Sequence, residues 1–295
     1  MNIQTFSVVS GTKACDAKCP FCISRMTGFD NTDLSHPINK RNLKKAILMA
    51  ERHSAQSILI TGKGEPTLYP HQISEYLTLF RELGCSVPVI ELQTNGILIG
   101  KLANGERSLV TESILEYWYN NGLDIIALSV VDVDGDGNKK VYTEDYPDLE
   151  KTIKFIRSFG FQVRICVMMQ KGLIDGIGQF DKCVKFCKKN DVFQLTIRTI
   201  KKTDKKAEDV VSSEYVAKYG LDLCDVRSIR EYIQSTGTLL KKLVHGAEVY
   251  DYYGQNVCIS DCLTVEPTNS DIRTLIFYPS GEISYDWQYS GARFL

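Results

Sequence analysis

Cys15, Cys19 and Cys22 stand in the run Cys15-Asp16-Ala17-Lys18-Cys19-Pro20-Phe21-Cys22, spaced C-x3-C-x2-C with an aromatic residue just before the last. Three thiolates on one short loop can hold three corners of an iron–sulfur cube, which ordinarily takes four cysteines. Three ligands leave one iron with an open position, the mark of a catalytic rather than a structural metal site. Other chemistries use parts of the same run. A structural zinc site wants four ligands, commonly as two pairs, and no second pair or His-x3-5-His follows closely. His36, His53, His71 and His245 are scattered. A redox dithiol needs only Cys19-Pro20-Phe21-Cys22 and leaves Cys15 surplus. From the loop alone all three readings stay open, with the cluster favoured by ligand count.

Such a loop has to be held, and the rest of the chain supplies a repeating scaffold. Six short runs rich in Ile and Val read as strands: Thr5–Val9, Ser57–Thr61, Val87–Gln93, Asp124–Val130, Phe161–Met169 and Phe193–Ile200. Several are apolar on both faces, which suits parallel strands buried between layers. Between them apolar residues recur at helical spacing, as in Leu43, Ile47 and Ala50, or Leu149, Ile153 and Ile156. The alternation predicts a parallel sheet with right-handed crossovers. The expected fold class is α/β, a partial (β/α)6 TIM-like barrel over residues 1–202, because six units fall short of the eight of a full barrel. Residues 203–295 are expected to form a C-terminal α+β extension closing that barrel. In it, 203–245 reads as polar and helical with no clear strand, and the chain from 246 is rich in tyrosine. Thr274–Tyr285 reads as two strands around Pro279-Ser280-Gly281.

In parallel α/β folds, ligands gather at the carboxyl ends of the strands. The cysteine loop follows the first strand. Thr61-Gly62-Lys63-Gly64-Glu65-Pro66-Thr67-Leu68 follows the second. Its glycines let backbone approach a ligand closely, and its carboxylate can accept from an ammonium group. The third strand ends in Gln93-Thr94-Asn95-Gly96, a turn signal. The fourth ends in Ala127-Leu128-Ser129-Val130, and the fifth runs Val163-Arg164-Ile165-Cys166-Val167-Met168-Met169-Gln170-Lys171-Gly172. Ser129 suits a strand-end cap as well as a ligand contact, and Met168 and Met169 suit plain core.

In this order, over about residues 3–200, the segments resemble the radical S-adenosylmethionine (SAM) superfamily, nearest the broad branch that includes the molybdenum-cofactor cyclases. The resemblance implies a [4Fe–4S] cluster on Cys15, Cys19 and Cys22 and S-adenosyl-L-methionine as second cofactor. It implies SAM contacts from Phe21, Gly64, Glu65, Thr94, Asn95, Ser129 and Met169. The implied reaction is reductive cleavage of SAM to a 5′-deoxyadenosyl radical that abstracts hydrogen from a substrate. Lys63 stands where the first of two adjacent glycines is usual. A G-x-G-E-P form also occurs in the superfamily's ribosomal RNA adenine methyltransferases, so methyl transfer to RNA is the alternative activity. A non-catalytic zinc or iron–sulfur protein is the alternative of another class.

With 35 basic and 36 acidic residues the formal charge is −1. That balance gives no push toward nucleic acid, which is not an expected partner. Lys201, Lys202, Lys205 and Lys206 read as a solvated turn. The N-terminus does not read as a signal peptide, and no run of about 18 apolar residues predicts a membrane span. Ten cysteines without a secretion signal fit a reducing cytoplasm. Asp132-Val133-Asp134-Gly135-Asp136-Gly137-Asn138 mimics the start of an EF-hand loop, but Thr143 stands where its last ligand should be Glu. Cys183 and Cys187 share a helical face with Phe180 and Val184 and read as core. Cys258 and Cys262 are too few for a second cubane, so one cluster is expected. The expected partners are a small-molecule or peptide substrate and a one-electron donor such as flavodoxin or ferredoxin.

Overall fold

Apolar residues at every second strand position meet apolar residues at every third or fourth helix position, and the main core results. In the computed structural model, which describes residues 2–27, 32, 34, 37–201, 209–243, 246–260 and 270–295, six βα units come first. The strands are β1 (Asn2–Val9), β2 (Ile58–Thr61), β3 (Ile90–Thr94), β4 (Ile125–Val130), β5 (Gln162–Met169) and β6 (Gln194–Thr199). The helices among them are α1 (Ile23–Met26), α2 (Lys40–Arg52), α3 (Pro70–Glu82), α4 (Ile97–Ala103), α5 (Glu112–Asn120), α6 (Asp136–Val141), α7 (Leu149–Ser158) and α8 (Ile177–Lys189). Neighbouring strands pair in parallel from β1 through β6. All six predicted strands form, within a few residues of their predicted ends.

The outward face of the sheet is apolar. Ile58, Ile60, Ile126, Leu128, Val163 and Ile165 lie in one cluster with Leu43, Ile47, Ile73, Leu77, Trp118, Ile153 and Phe180 from the helices. Burying each such side chain contributes about 1.5–3 kcal/mol. Cys183 and Cys187 are fully buried in this cluster. Helix ends are fixed by side chains the sequence supplies. Asp148 accepts from Lys151 N at 2.7 Å, and Thr111 accepts from Ile114 N at 3.3 Å.

The inward face departs from the expectation of strands apolar on both sides. Ser7, Gln93, Arg164, Thr196 and Arg198 lie on it and line a cavity. A wall that faces a cavity rather than a second apolar layer can carry polar side chains without leaving them dry.

The C-terminal segment contributes α9 (Val210–Tyr219), α10 (Leu223–Thr236), β7 (Thr238–Lys242), β8 (Glu248–Tyr252), β9 (Gln255–Ile259), β10 (Asp271–Phe277) and β11 (Ile283–Ser284). The strand order is β11-β10-β1-β2-β3-β4-β5-β6-β9-β8-β7. The segment therefore lengthens the sheet at both edges, β10 in parallel on β1 and β9 in parallel on β6. Among the described residues no pairing joins β11 to β7, and the sheet stays open. β10 and β11 form the antiparallel pair read around Pro279-Ser280-Gly281. β7 stands where no strand was expected. It is exposed along its whole length and so lacks the alternation that marks a half-buried strand, and its Lys241 and Lys242 suit an edge. The β8–β9 hairpin turns on Tyr253 and Gly254 with φ of 50° and 83°, the left-handed pair that a two-residue hairpin of this twist needs.

Candidate active site

The loop after β1 carries Cys15, Cys19 and Cys22, all free thiols. Cys22 N donates to Cys19 O at 3.3 Å, and Cys22 then starts α1, so a tight turn and a short helix set two of the three cysteines. Lys18 N donates to Tyr142 O at 2.9 Å. Phe21 is buried, its ring 6.4 Å from that of Tyr142 and 6.3 Å from that of Tyr215 on α9. The aromatic residue before the last cysteine is thus the loop's anchor to its neighbours.

Two later loops brace the first. Gly64 cannot carry a side chain, because a Cβ there would stand 2.0 Å from Ala14 O and 2.7 Å from the carbonyl carbon of Lys13. The backbone it admits is the base of the cysteine loop, and Glu65 N donates to Ala14 O at 2.9 Å. The Glu65 carboxylate is fully enclosed and accepts from Thr67 N, Thr67 Oγ1, Thr94 Oγ1 and Asn95 N at 2.6–2.9 Å. Burial pushes its pKa upward, against those four bonds. Asn95 Nδ2 donates to Asp16 Oδ1 at 2.7 Å and lies 3.9 Å from Cys15 Sγ, while its Oδ1 accepts from Ile97 N at 2.9 Å. Gly96, with φ of 79°, allows α4 to start at once behind it.

These loops enclose one cavity of about 680 Å³, lined by all three cysteines, Gly64, Glu65, Thr94, Asn95 and Ser129. Burial pushes the Cys15 thiol up to about 11, and Cys19 further still, with the neighbouring thiols adding to the rise. Among the described residues no three His, Cys, Asp or Glu side chains are grouped to hold a single metal ion. Three soft donors turned into one roomy cavity suit a cluster, in which each thiolate takes a different iron.

Seven residues were expected beside the cysteines. Five of them, Gly64, Glu65, Thr94, Asn95 and Ser129, line the cavity. Phe21 supports it from behind, in an apolar cluster with Ala17, Met26, Tyr142 and Tyr146. Met169 is placed elsewhere. It is buried in the helix-side core, and by strand alternation Met168 takes the inner face and packs on the Phe21 cluster. The Asp132 loop spends its oxygens on its own backbone: Asp132 Oδ2 accepts from Gly137 N at 3.1 Å, and Asn138 Oδ1 accepts from Val131 N at 2.9 Å. Cys258 is buried on the inner face of β9. Cys262, His36, His245, Lys202, Lys205 and Lys206 lie outside the described residues.

Sequence reasoning passed over Arg164 and Arg198, which line a second chamber beside the first. A signal was available. Each is a charge in mid-strand, in register with a neighbour on the same face, as is Glu91, which pairs with Arg164 at 2.6 Å. It also passed over Asp209, which caps α9 and lines the cysteine cavity from the C-terminal segment.

The sequence profile of the radical SAM superfamily matches residues 9–187. The chain is 32% identical over 94 residues to a 7-carboxy-7-deazaguanine synthase of Hyperthermus butylicus, covering 32% of this chain and 36% of that one. SuiB of Streptococcus suis, solved with bound S-adenosylmethionine, aligns with 96% of this chain at 18% identity and a TM-score of 0.59. The chain spans 60% of SuiB's length. The protein anSMEcpe, solved with bound AdoMet, aligns with 98% of this chain and 76% of its own at 14% identity and a TM-score of 0.57. At those identities the likeness is one of fold, an open (β/α)6 barrel.

Proposed function

The chain belongs to the radical SAM superfamily, whose enzymes work with a [4Fe–4S] cluster and S-adenosylmethionine, and we propose that Cys15, Cys19 and Cys22 hold that cluster in the first cavity. One observation carries the reading: three thiols of one loop, the loops after β2 and β3, and Ser129 of β4 line a single space. When bound, the two cofactors supply reductive cleavage of SAM to methionine and a 5′-deoxyadenosyl radical, which takes hydrogen from the substrate.

The chain's own residues position and shield. Asn95 and the Ala14–Glu65 backbone bond hold the cysteine loop in place. Four hydrogen bonds orient the Glu65 carboxylate, and Oε2, which takes only one of them, keeps acceptor capacity for the SAM ammonium. Thr94 and Ser129 offer hydroxyls, Gly64 offers backbone, and Met168 rather than Met169 offers the apolar contact on this side. Residues 1–202 supply the cofactor side. Residues 203–295 supply walls: Asp209 at the first cavity, Lys241, Cys258 and Trp287 at the second. The substrate is a small molecule or a peptide, the electron comes from a flavodoxin- or ferredoxin-type donor, and the reducing cytoplasm suits the free thiols. No helix among the described residues is long and apolar enough to cross a membrane.

The test is anaerobic reconstitution followed by dithionite and SAM. The reading expects methionine and 5′-deoxyadenosine in equal amounts, above a no-enzyme control, and a further rise in a screen of metabolites and peptides. A reconstituted protein that binds no SAM and forms no 5′-deoxyadenosine contradicts it.

A further inference from the structure

The inner face of the sheet carries charge that the cofactor reading leaves unused. Arg164 on β5, Arg198 on β6 and Arg273 on β10 line a chamber of about 440 Å³. It shares a wall with the cysteine cavity, made of Ser24, Thr61, Gly62, Lys63 and Gln93. All three guanidiniums act on Cys258, which pairs in register with Thr196. Each draws the thiol down, and burial outweighs them and leaves it raised. Among the described residues the chamber is lined by five cationic side chains, the three arginines with Lys63 and Lys241, against one anionic side chain, Asp286. Glu91 meets Arg164 from the floor at 2.6 Å.

A guanidinium has five donors in a rigid fork, so one partner does not exhaust it. Arg164 shows this directly. One terminal nitrogen meets Glu91, while its Nε is buried and makes no hydrogen bond among the described residues. A buried donor left unmade is costly in a folded chain and points to a partner that completes it. The partner that fits two parallel N–H bonds is a carboxylate. The volume suits a small molecule or one residue of a peptide. Trp287, stacked under Lys63 with the ammonium 5.7 Å from its ring, adds an aromatic surface at the shared wall.

Resting on the reading of the neighbouring cavity as the SAM site, we infer that this chamber is the substrate site, and that its substrate carries a carboxylate gripped by Arg164, Arg198 and Arg273. The acid is either a free small molecule or the side chain of an acidic residue in a peptide.

The test uses the full chain, reconstituted anaerobically, with and without SAM. In a Trp118→Phe background, Trp287 in the chamber wall is the sole tryptophan. Glutarate, glutamate and benzoate are titrated beside their amides, and the blocked peptide acetyl-Gly-Glu-Gly-amide beside its Gln counterpart, while Trp287 emission is read. At least one acid should give a saturable change, at least tenfold tighter than its amide. Arg198→Gln should weaken it at least tenfold. Arg198→Lys, which keeps the charge and loses the fork, should fall between. Saturation by a free acid supports a small-molecule source, and saturation by the peptide alone supports a peptide source. No saturation by any acid, or wild-type affinity in Arg198→Gln, overturns the inference. SAM affinity, measured on the same samples by equilibrium dialysis, separates the two claims. SAM binding without acid binding removes the chamber and keeps the cofactor site, and acid binding without SAM binding does the reverse.

Discussion

The cysteine cavity and the chamber beside it are built by opposite means. The first is made of three loops whose residues are contiguous in the chain: 13–25, 61–66 and 93–95 supply most of its lining. The second draws on single inward residues from strands spread between β1 and β10, with Gly62, Lys63 and the run Tyr285 to Gln288 completing it. Loops after strands can change shape without breaking the sheet, whereas an inward strand residue changes the lining and leaves the backbone alone. A cofactor site of the first kind can be kept as a unit while a chamber of the second kind is altered one side chain at a time. The two should therefore fail separately when mutated.

The largest expected effect falls on the first region. Replacing Cys15, Cys19 and Cys22 together by Ala should take iron from about four per chain to near zero, by the ligation rule for a single cubane. SAM cleavage should vanish with it, as it should for each single Ala variant. About four irons remaining in the triple variant would mean a second cluster near Cys258, and the division between the regions would no longer hold.

Gly64→Val comes next. Its added carbon meets backbone at Ala14, which has no flexible end to give way. Overpacking of this kind costs about 1–3 kcal/mol. Because the atom struck belongs to the cysteine loop, cluster occupancy and SAM affinity should fall together, while acid binding read at Trp287 falls less. Equal loss in both regions would count against their independence. Asn95→Ala should act in the same direction more weakly. It removes the bonds to Asp16 and to Ile97 N, about 1–2 kcal/mol. The measurement is the rate of iron loss to a chelator, which should rise about tenfold.

The smallest effect is expected far from both regions. Glu150 on α7 meets Lys154 at 2.7 Å and Lys189 at 2.8 Å, and those bonds hold its pKa down to about 2. A lowered carboxyl contributes stability that is present above its ordinary range, near 4.5, and is lost as pH falls toward 2. Glu150→Gln should lower Tm slightly at neutral pH, with the difference closing in acid, because the group is exposed and such pairs are weak. SAM and acid affinities should not move.

How far the sequence was legible follows the same division. Strands β1 to β6 and their helices could be read because apolar periods of two and of three to four are local signals. The three loops that line the first cavity could be picked out because each is a short contiguous motif. The reasons behind two of their residues could not. Gly64 admits neighbouring backbone, and Glu65 ties three loops, and both facts depend on which loops meet. Met169 was misplaced relative to Met168 because a one-residue step in a strand reverses the face, and two adjacent methionines give no phase. β7 was missed because an exposed edge carries no alternation. Arg164, Arg198 and Arg273 lie over a hundred residues apart at the extremes, so their convergence belongs to strand register and not to any stretch of sequence.

The central claim is that SAM binds at an open iron of a cluster held by three thiols in the first cavity. The direct measurement is the electron paramagnetic resonance spectrum of the reconstituted, dithionite-reduced chain before and after SAM is added. The account predicts a reduced [4Fe–4S] signal, with about four irons per chain, whose g-values shift on SAM addition. A signal that SAM leaves unchanged, or one that persists in the Cys15/Cys19/Cys22 triple Ala variant, would contradict it.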